Sequence, residues 1–493
     1  MRLRPTWLPA LFALCAGAWQ VSPARPQPIP ARPELLRFAP FEVEFPGPER
    51  YRHAIGTDTI AYVVEDHRLP LVDLRVLLRI GAFLDPPGKD GLALMTLDLM
   101  RLGGTEGRSP AELEAALARL GAEVSTSTGD LYSAVRLRCL SSQLDAALPL
   151  LAEILDRPAF EPAALDRLKN QRIRGLGNRN DDAAGLADRE WNWLLHGREH
   201  FSARYLVAPQ LYALGRSDFE GFHRRYVRRA PRVLALSGDV SAEKWLPRLA
   251  GLAPPEPRSA EVARSWPPPA PHFQPRPGVY QLSGPAGQSQ VIVGRLYGGG
   301  SPWDDPTLPA SRLANQVLSG GSFASRLFRR LRTEEGLVYG VTSSLEAPEL
   351  WPGAFEVRFQ ADPAKAGKAL VEVLAELERL RQEPVSESEL DLARGELKAE
   401  FAEAVGSARQ IALALAEDQL LGRPPAARRR SWDQLQAVTP QTLRQAAGQL
   451  FDPAQLLILV VGDSPTLARE LPPALQQAQP LPHRDPYTLE VVP

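Results

Sequence analysis

The chain has 493 residues, more than one compact domain holds, so two to four domains are expected. With 44% hydrophobic and 23% charged residues its composition is that of an ordinary globular protein with ample core material. A formal net charge of −1 argues against a nucleic acid or an acidic membrane surface as partner, and 7% aromatics leave no stacking platform for single strands.

Met1–Ala18 has the make-up of a secretory signal: Arg2 and Arg4, the apolar run Trp7–Leu14, then Ala16-Gly17-Ala18 as an A-x-A cleavage site. The apolar run falls far short of the roughly 20 residues that a spanning helix needs. No membrane span is therefore expected after signal removal, and the mature chain is expected to be exported, periplasmic or secreted. Cys15 is a candidate lipidation site, although Leu14 is bulky where such sites take a small residue. Cleavage at Ala18 leaves Cys139 alone, so no internal disulfide can form. Val135–Leu140 alternates as a strand does, which places Cys139 in the core.

After a Pro-rich leader (19–40), Thr59–Leu84 is rich in strand signals and ends at the turn Asp85-Pro86-Pro87-Gly88-Lys89-Asp90. Gly91–Thr105 (GLALMTLDLMRLGGT) follows as an apolar helix closing on Gly103-Gly104. Ala147–Leu155 and Glu161–Arg174 are amphipathic helices, and Val233–Asp239 (VLALSGD) is a closing strand. A proline-dense stretch, 254–277, has the composition of an interdomain linker.

Beyond the linker the pattern recurs. Ala369–Leu380 matches the first of those helices, Ser386–Glu400 the second, and Leu457–Asp463 (LILVVGD) the strand. The spacing from Leu165 to Gly238 equals that from Leu390 to Gly462 to within one residue, which points to an internal duplication. Each half mixes period-2 strands with period-3.6 helices. The expected fold class is α+β: two homologous sandwich domains, 41–253 and 278–470, each a largely antiparallel sheet with helices on one face, followed by a tail, 471–493.

In the second half, Leu318–Ser344 (LSGGSFASRLFRRLRTEEGLVYGVTSS) predicts a helix opened by Gly320 and Gly321, with Leu327, Phe328 and Leu331 apolar. Gly336 stops it and Leu337–Ser343 becomes a strand. Gly298-Gly299-Gly300-Ser301 lacks the lysine of a phosphate loop and is expected to be a turn, and Arg428-Arg429-Arg430 a solvated loop.

The strand-rich run, turn and helix of Gly91–Thr105 resemble the N-terminal domain of the insulinase/pitrilysin peptidases, the inverzincins, whose helix carries His-x-x-Glu-His. On that pattern the two His positions become Leu94 and Asp98 and the catalytic Glu becomes Leu97. Positions i, i+3 and i+4 are expected on one helix face, which would here be mostly hydrocarbon. Zinc needs three or four N, S or O donors, and Asp98 offers one. The family's third ligand, a Glu, falls near Arg174–Gly175, where there is no acid. The run His196-Gly197-Arg198-Glu199-His200 matches the inverted motif by letter, but it follows a helix end rather than opening a helix, and Gly197 weakens a helix by about 1 kcal/mol against Ala. The expectation is that the chain binds no zinc.

The second-half motif also resembles the family's C-terminal pattern, a Ser-Arg-Leu-Phe run ending in Arg…Gly-Leu-x-Tyr. Arg332 and Tyr339 match the family's paired Arg and Tyr, which contact substrate near the scissile bond. Some members work as two chains, one with the zinc helix and the other with the Arg/Tyr pair. The resemblance thus implies a chain inactive alone, completing the peptide cleft of a zinc-bearing insulinase-family subunit. Its alternative is a pseudopeptidase that serves as a structural or peptide-binding scaffold with no part in proteolysis. It also implies two domains that close like a clamp on a peptide.

Overall fold

The computed structural model describes residue 32 and residues 43–492, except 271, 286, 299–304, 322, 348–349 and 463–476. The expected signal (1–18) with Cys15, the expected leader (19–40) apart from residue 32, Gly299–Ser301, Asp463 and the start of the tail lie outside the described residues. One compact unit runs Val43–Pro493.

Within it the first half contributes strands β1 (Arg52–Ala54), β2 (Thr59–Glu65), β3 (Leu71–Leu78), β4 (Glu123–Thr128), β5 (Ser133–Leu140) and β6 (Arg232–Gly238). The second contributes β7 (Gly278–Ser283), β8 (Ser289–Tyr297), β9 (Val338–Leu345), β10 (Gly353–Ala361), β11 (Leu457–Gly462) and β12 (Gln479–Pro480). They form two six-stranded sheets, ordered β1-β2-β6-β3-β5-β4 and β12-β7-β11-β8-β10-β9. Five strands of each match, β2-β6-β3-β5-β4 and β7-β11-β8-β10-β9, with β2–β6 and β7–β11 parallel and the following three pairs antiparallel, while β1 is antiparallel to β2 and β12 parallel to β7. The duplication read from helix and strand spacing is thus a duplication of sheet topology.

The inner face of the first sheet (Leu74, Val76, Leu78, Leu137, Cys139, Leu234, Leu236) packs on the helices Leu92–Leu102, Leu144–Asp156 and Pro162–Gly177. In the second, Val291, Val293, Val357, Phe359 and Val460 pack on Leu308–Ser319, Pro363–Gln382 and Glu387–Ala404. Each fully buried Leu, Ile or Val contributes about 1.5–3 kcal/mol relative to exposure.

The opposite sheet faces are not solvated. The first-half helix Ala183–His196 lays Leu186, Ala187, Trp191 and Leu195 on Leu282, Ile292, Leu457, Leu459 and Val461 of the second sheet. Reciprocally, the second-half helix Ala408–Leu421 lays Ala412, Leu415, Ala416 and Leu420 on Tyr62, Val64, Leu77, Val233 and Ala235 of the first. Strands buried on both faces read as near-continuous apolar runs, which is why β11 is LILVVG with every residue buried. Polar bonds stitch the exchange: Trp191 Nε1 donates to Glu356 Oε1 (2.6 Å), Tyr132 Oη to Glu417 Oε1 (2.8 Å), and Arg79 Nε to the Leu420 carbonyl (2.6 Å).

The proline-rich ends take part in the fold as well. Trp266 of the linker packs edge-on against Phe83 (6.0 Å between centroids), with the Arg79 guanidinium 4.8 Å from its ring. In the tail, β12 extends the second sheet, while buried Arg484 faces Glu190 at 3.6 Å and the Tyr487 carbonyl accepts from Ala208 N–H at 2.8 Å. The Arg428–Arg430 cluster is not a loop. It opens the helix Ala427–Gln436, with Arg428 paired to Asp418 (2.7 Å) and Arg429 to Asp433 (3.0 Å).

Candidate functional site

The helix Leu92–Leu102 is started by Asp85, whose two carboxylate oxygens accept from Gly91 N–H and Ala93 N–H, both at 2.7 Å. Gly91 has φ +84°, and a Cβ there would stand 2.9 Å from Leu206 Cδ1, so the turn requires glycine. The helix therefore begins where the sequence places it.

Its three singled-out positions do not share one face. Leu97 is fully buried in the first core, whereas Leu94 and Asp98 turn outward. At about 100° per residue, position i+3 and position i+4 fall on opposite sides of i, and here the sheet claims the i+3 side. Leu94 lines a cavity of about 600 Å³ together with Gly175 and Arg172 from the helix Pro162–Gly177. Asp98 accepts from Arg172 Nη2 at 2.5 Å and from Thr126 Oγ1 of β4 at 3.2 Å. The structure thus brings together the segments that sequence alignment to a zinc helix would bring together. The chemistry differs: Leu94 presents hydrocarbon, Gly175 has no side chain, and a guanidinium already neutralises Asp98. A dication would meet one donor and a competing cation, so these residues do not fit zinc. Among the described residues no three His, Cys, Asp or Glu converge to hold a metal ion.

The letter-match at 196–200 is not helical either. His196 is the last residue of its helix, Gly197 breaks it at φ +73°, and His200 lies in the following loop with Nδ1 2.6 Å from Ser202 Oγ. Burial lowers the pKa of both rings, that of His200 to about 4. Cys139 is buried and its thiol is pushed up to about 11 by burial, which makes it an inert core residue.

In the second half the predicted helix is a π-helical segment, Phe328–Glu334, a geometry that recurs at functional sites. Leu327 and Leu331 are fully buried and fix it to the core. Arg326 fixes its start: Nε and Nη2 fork onto Glu389 (2.8 and 3.2 Å) and Nη1 reaches buried Glu376 (3.1 Å). Arg330 adds Glu372 at 2.8 Å. Gly336, at φ +58°, then turns the chain into β9.

This framework brings Arg332 and Tyr339 together. The Arg332 guanidinium carbon lies 4.7 Å from the Tyr339 ring centre and 4.9 Å from that of Phe328, between the two rings. Tyr339 is 84% exposed on β9, the edge strand of its sheet. A tyrosine that only packed a strand would be covered. Phe323, 79% exposed and edge-on to Phe328 at 4.9 Å, extends the strip. Sequence reasoning missed Phe323, although a phenylalanine inside a Gly/Ser loop was a visible signal. It also missed Arg326 and Arg172, whose partners are distant in sequence.

The comparisons follow this division. The family model described as insulinase (peptidase family M16) matches residues 62–182, and that described as peptidase M16 inactive domain matches residues 213–397. A protein of Rickettsia bellii called an uncharacterized zinc protease is 21% identical over 328 residues, 66% of this chain and 77% of its own length. The non-peptidase homolog YmxG of Helicobacter pylori is 25% identical over 285 residues, 56% of this chain and 62% of its own. A crystal structure described as the peptidase M16 inactive domain from Pseudomonas fluorescens superposes with a TM-score of 0.72 at 25% identity, covering 83% of this chain and 97% of that one.

Proposed function

The chain belongs to the insulinase (peptidase M16) family, and we propose that within it this chain is the non-catalytic subunit of a two-chain metallopeptidase. It is inactive alone. It supplies Arg332 and Tyr339 to a peptide held in the cleft of a zinc-bearing partner, after export, with the periplasm as the compartment if the source is Gram-negative. The observation that carries this reading is the Arg332–Tyr339 contact, with half-buried Arg332 under an outward-facing, exposed Tyr339, on a segment anchored by Arg326 and Leu331.

The division of labour follows from the chemistry of each residue. A guanidinium fork holds substrate carbonyls by charge-assisted hydrogen bonds. A phenol hydroxyl donates to the oxyanion that forms on attack, which in comparable sites is worth about 2.7–4 kcal/mol per donor. The partner's zinc would polarise the carbonyl and activate the water.

The test is affinity purification of the tagged mature chain from its native host, with co-purifying polypeptides identified by mass spectrometry. A stoichiometric relative carrying an intact His-x-x-Glu-His helix is the expected result. Unrelated proteins in its place would favour the second reading, a structural or peptide-binding pseudopeptidase. That reading is favoured by the similarity to YmxG, a non-peptidase homolog.

A further inference from the structure

Residues 479–492 of the tail fold largely on themselves. Asp485 Oδ1 accepts from Tyr487 N–H and Thr488 N–H, both at 2.9 Å. Leu489 N–H donates to the Asp485 carbonyl (2.9 Å), Asp485 N–H to the Glu490 carbonyl (3.0 Å) and Val492 N–H to the His483 carbonyl (3.0 Å). The result is a closed loop that supplies many of its own backbone bonds.

What ties this loop to the fold is sparse and mostly polar. Leu481 N–H donates to the Gln281 carbonyl (2.7 Å) where β12 runs beside β7. Asn180 Nδ2 donates to the Arg484 carbonyl and Ala208 N–H to the Tyr487 carbonyl, both at 2.8 Å. β12 has only two residues, and Pro480 has no N–H to give. Leu481 packs on the cluster that joins the helix Ala183–His196 to the second sheet. Among the described residues 479–492 the one buried side chain is Arg484, 5% exposed. Its Nε stands 3.6 Å from Glu190 Oε1 and its guanidinium 5.1 Å from the Trp193 ring, both on the helix Ala183–His196.

Two features of the host make this a dock rather than part of a core. Buried Glu190 has a second cation, since Arg189 places Nε and Nη2 each 3.3 Å from the same carboxylate oxygen. Loss of Arg484 therefore leaves no buried carboxylate without a partner. The other feature is Gly177, last residue of the helix Pro162–Gly177, where a Cβ would lie 2.7 Å from Tyr487 Oη. The backbone there is helical (φ −57°) and accepts other residues, so a side chain at 177 competes with the tail and not with the helix.

We infer that residues 479–492 are a latch: a self-closed loop, pegged by Arg484 between the two halves, that docks and releases as one unit while the halves stay folded. It touches the second half at Gln281 and the first at Asn180, Glu190 and Ala208. Its release frees the turn after Gly177 and the start of the helix Ala208–Ala213 together. Those two elements flank Arg179 and Leu206, which are bonded to each other (2.7 Å) in one wall of the cavity beside Leu94, and the latch holds that wall. The inference rests neither on a partner chain nor on Arg332 and Tyr339.

The experiment is hydrogen–deuterium exchange on the full mature chain, read by mass spectrometry. The Ala208 amide is a direct reporter, because its bond among the described residues is to the Tyr487 carbonyl. Arg484→Gln is expected to speed exchange at least tenfold at Leu481 and Ala208 together, with the helix Leu144–Asp156 unchanged. Gly177→Val, which disturbs the dock from the opposite side, is expected to give the same pattern. A second measurement supplies the loop in trans. A synthetic peptide of residues 479–493 is expected to bind a chain shortened to residue 478 at micromolar concentration and to return Ala208 to the parent rate. Faster exchange confined to the tail, faster exchange that includes Leu144–Asp156, or no change overturns the inference. Failure of the peptide to bind a folded shortened chain does the same. If the shortened chain does not fold, the two full-length variants decide alone.

Discussion

Arg172 Nη2 meets Asp98 Oδ2 at 2.5 Å, so a cationic side chain from one helix stands against the acid of another. Both groups are partly sheltered, and each desolvates the other's surroundings. Removing one partner leaves a charge half-buried and unpaired, whereas removing both does not. Asp98→Ala and Arg172→Ala are each expected to cost about 1–3 kcal/mol, and the double variant less than their sum. Urea denaturation of the four-member cycle measures the coupling, and strict additivity would show that the pair is decorative.

The exchanged helices make a second expectation. Trp191 is buried on the second sheet and donates to Glu356. Trp191→Ala opens a cavity and orphans that carboxylate, for an expected loss of about 3–5 kcal/mol. If denaturation then shows two transitions instead of one, the helix is what couples the halves; a loss below about 1 kcal/mol would mean that it does not.

The pH dependence of stability has two opposed sources. His223, buried with Nε2 2.8 Å from the Leu155 carbonyl, has its pKa lowered to about 4, chiefly by burial. The unfolded chain takes up that proton near pH 6.5 and the folded one does not, so stability falls as pH drops from about 6.5 to 4, by about 3 kcal/mol. Asp85, raised to about 7 by burial, runs the other way: the unfolded chain releases its proton near pH 4, so its contribution is lost as pH rises from 4 to 7. Stability of His223→Gln is therefore expected to decline with rising pH across that window, where the parent's profile is flatter. A parallel profile in both proteins would contradict this.

Tyr339→Phe removes one hydroxyl from an exposed ring and keeps its stacking on Arg332. Stability should change by less than about 0.5 kcal/mol. In a reconstituted pair with a zinc-bearing partner, turnover should fall by about 10²–10³-fold, as for a lost oxyanion donor. Unchanged turnover would leave Tyr339 a role in assembly at most.

Much of this architecture is written locally. The 3.6-residue period of Leu144–Asp156, the Ser386 capping box and the Gly336 stop depend on neighbours a few positions away, so the helices, the strand β9 and the duplicated register are legible in the chain. The nearness of Arg332 and Tyr339 is legible for the same reason, since both residues belong to one contiguous helix–turn–strand. The orientation of Leu97 was not. Three residues spaced i, i+3 and i+4 fit either one functional face or a boundary between two faces, and only the packed sheet decides.

Sequence by itself therefore determined the number of halves, their fold class and the absence of a His-x-x-Glu-His run from the helix within Gly91–Thr105. Tertiary structure decided which helix covers which sheet, the docking of linker and tail, and the Asp98–Arg172 pair. Those contacts join residues far apart along the chain. Their partners are chosen by burial and charge compensation across the whole fold, and no local pattern encodes that choice.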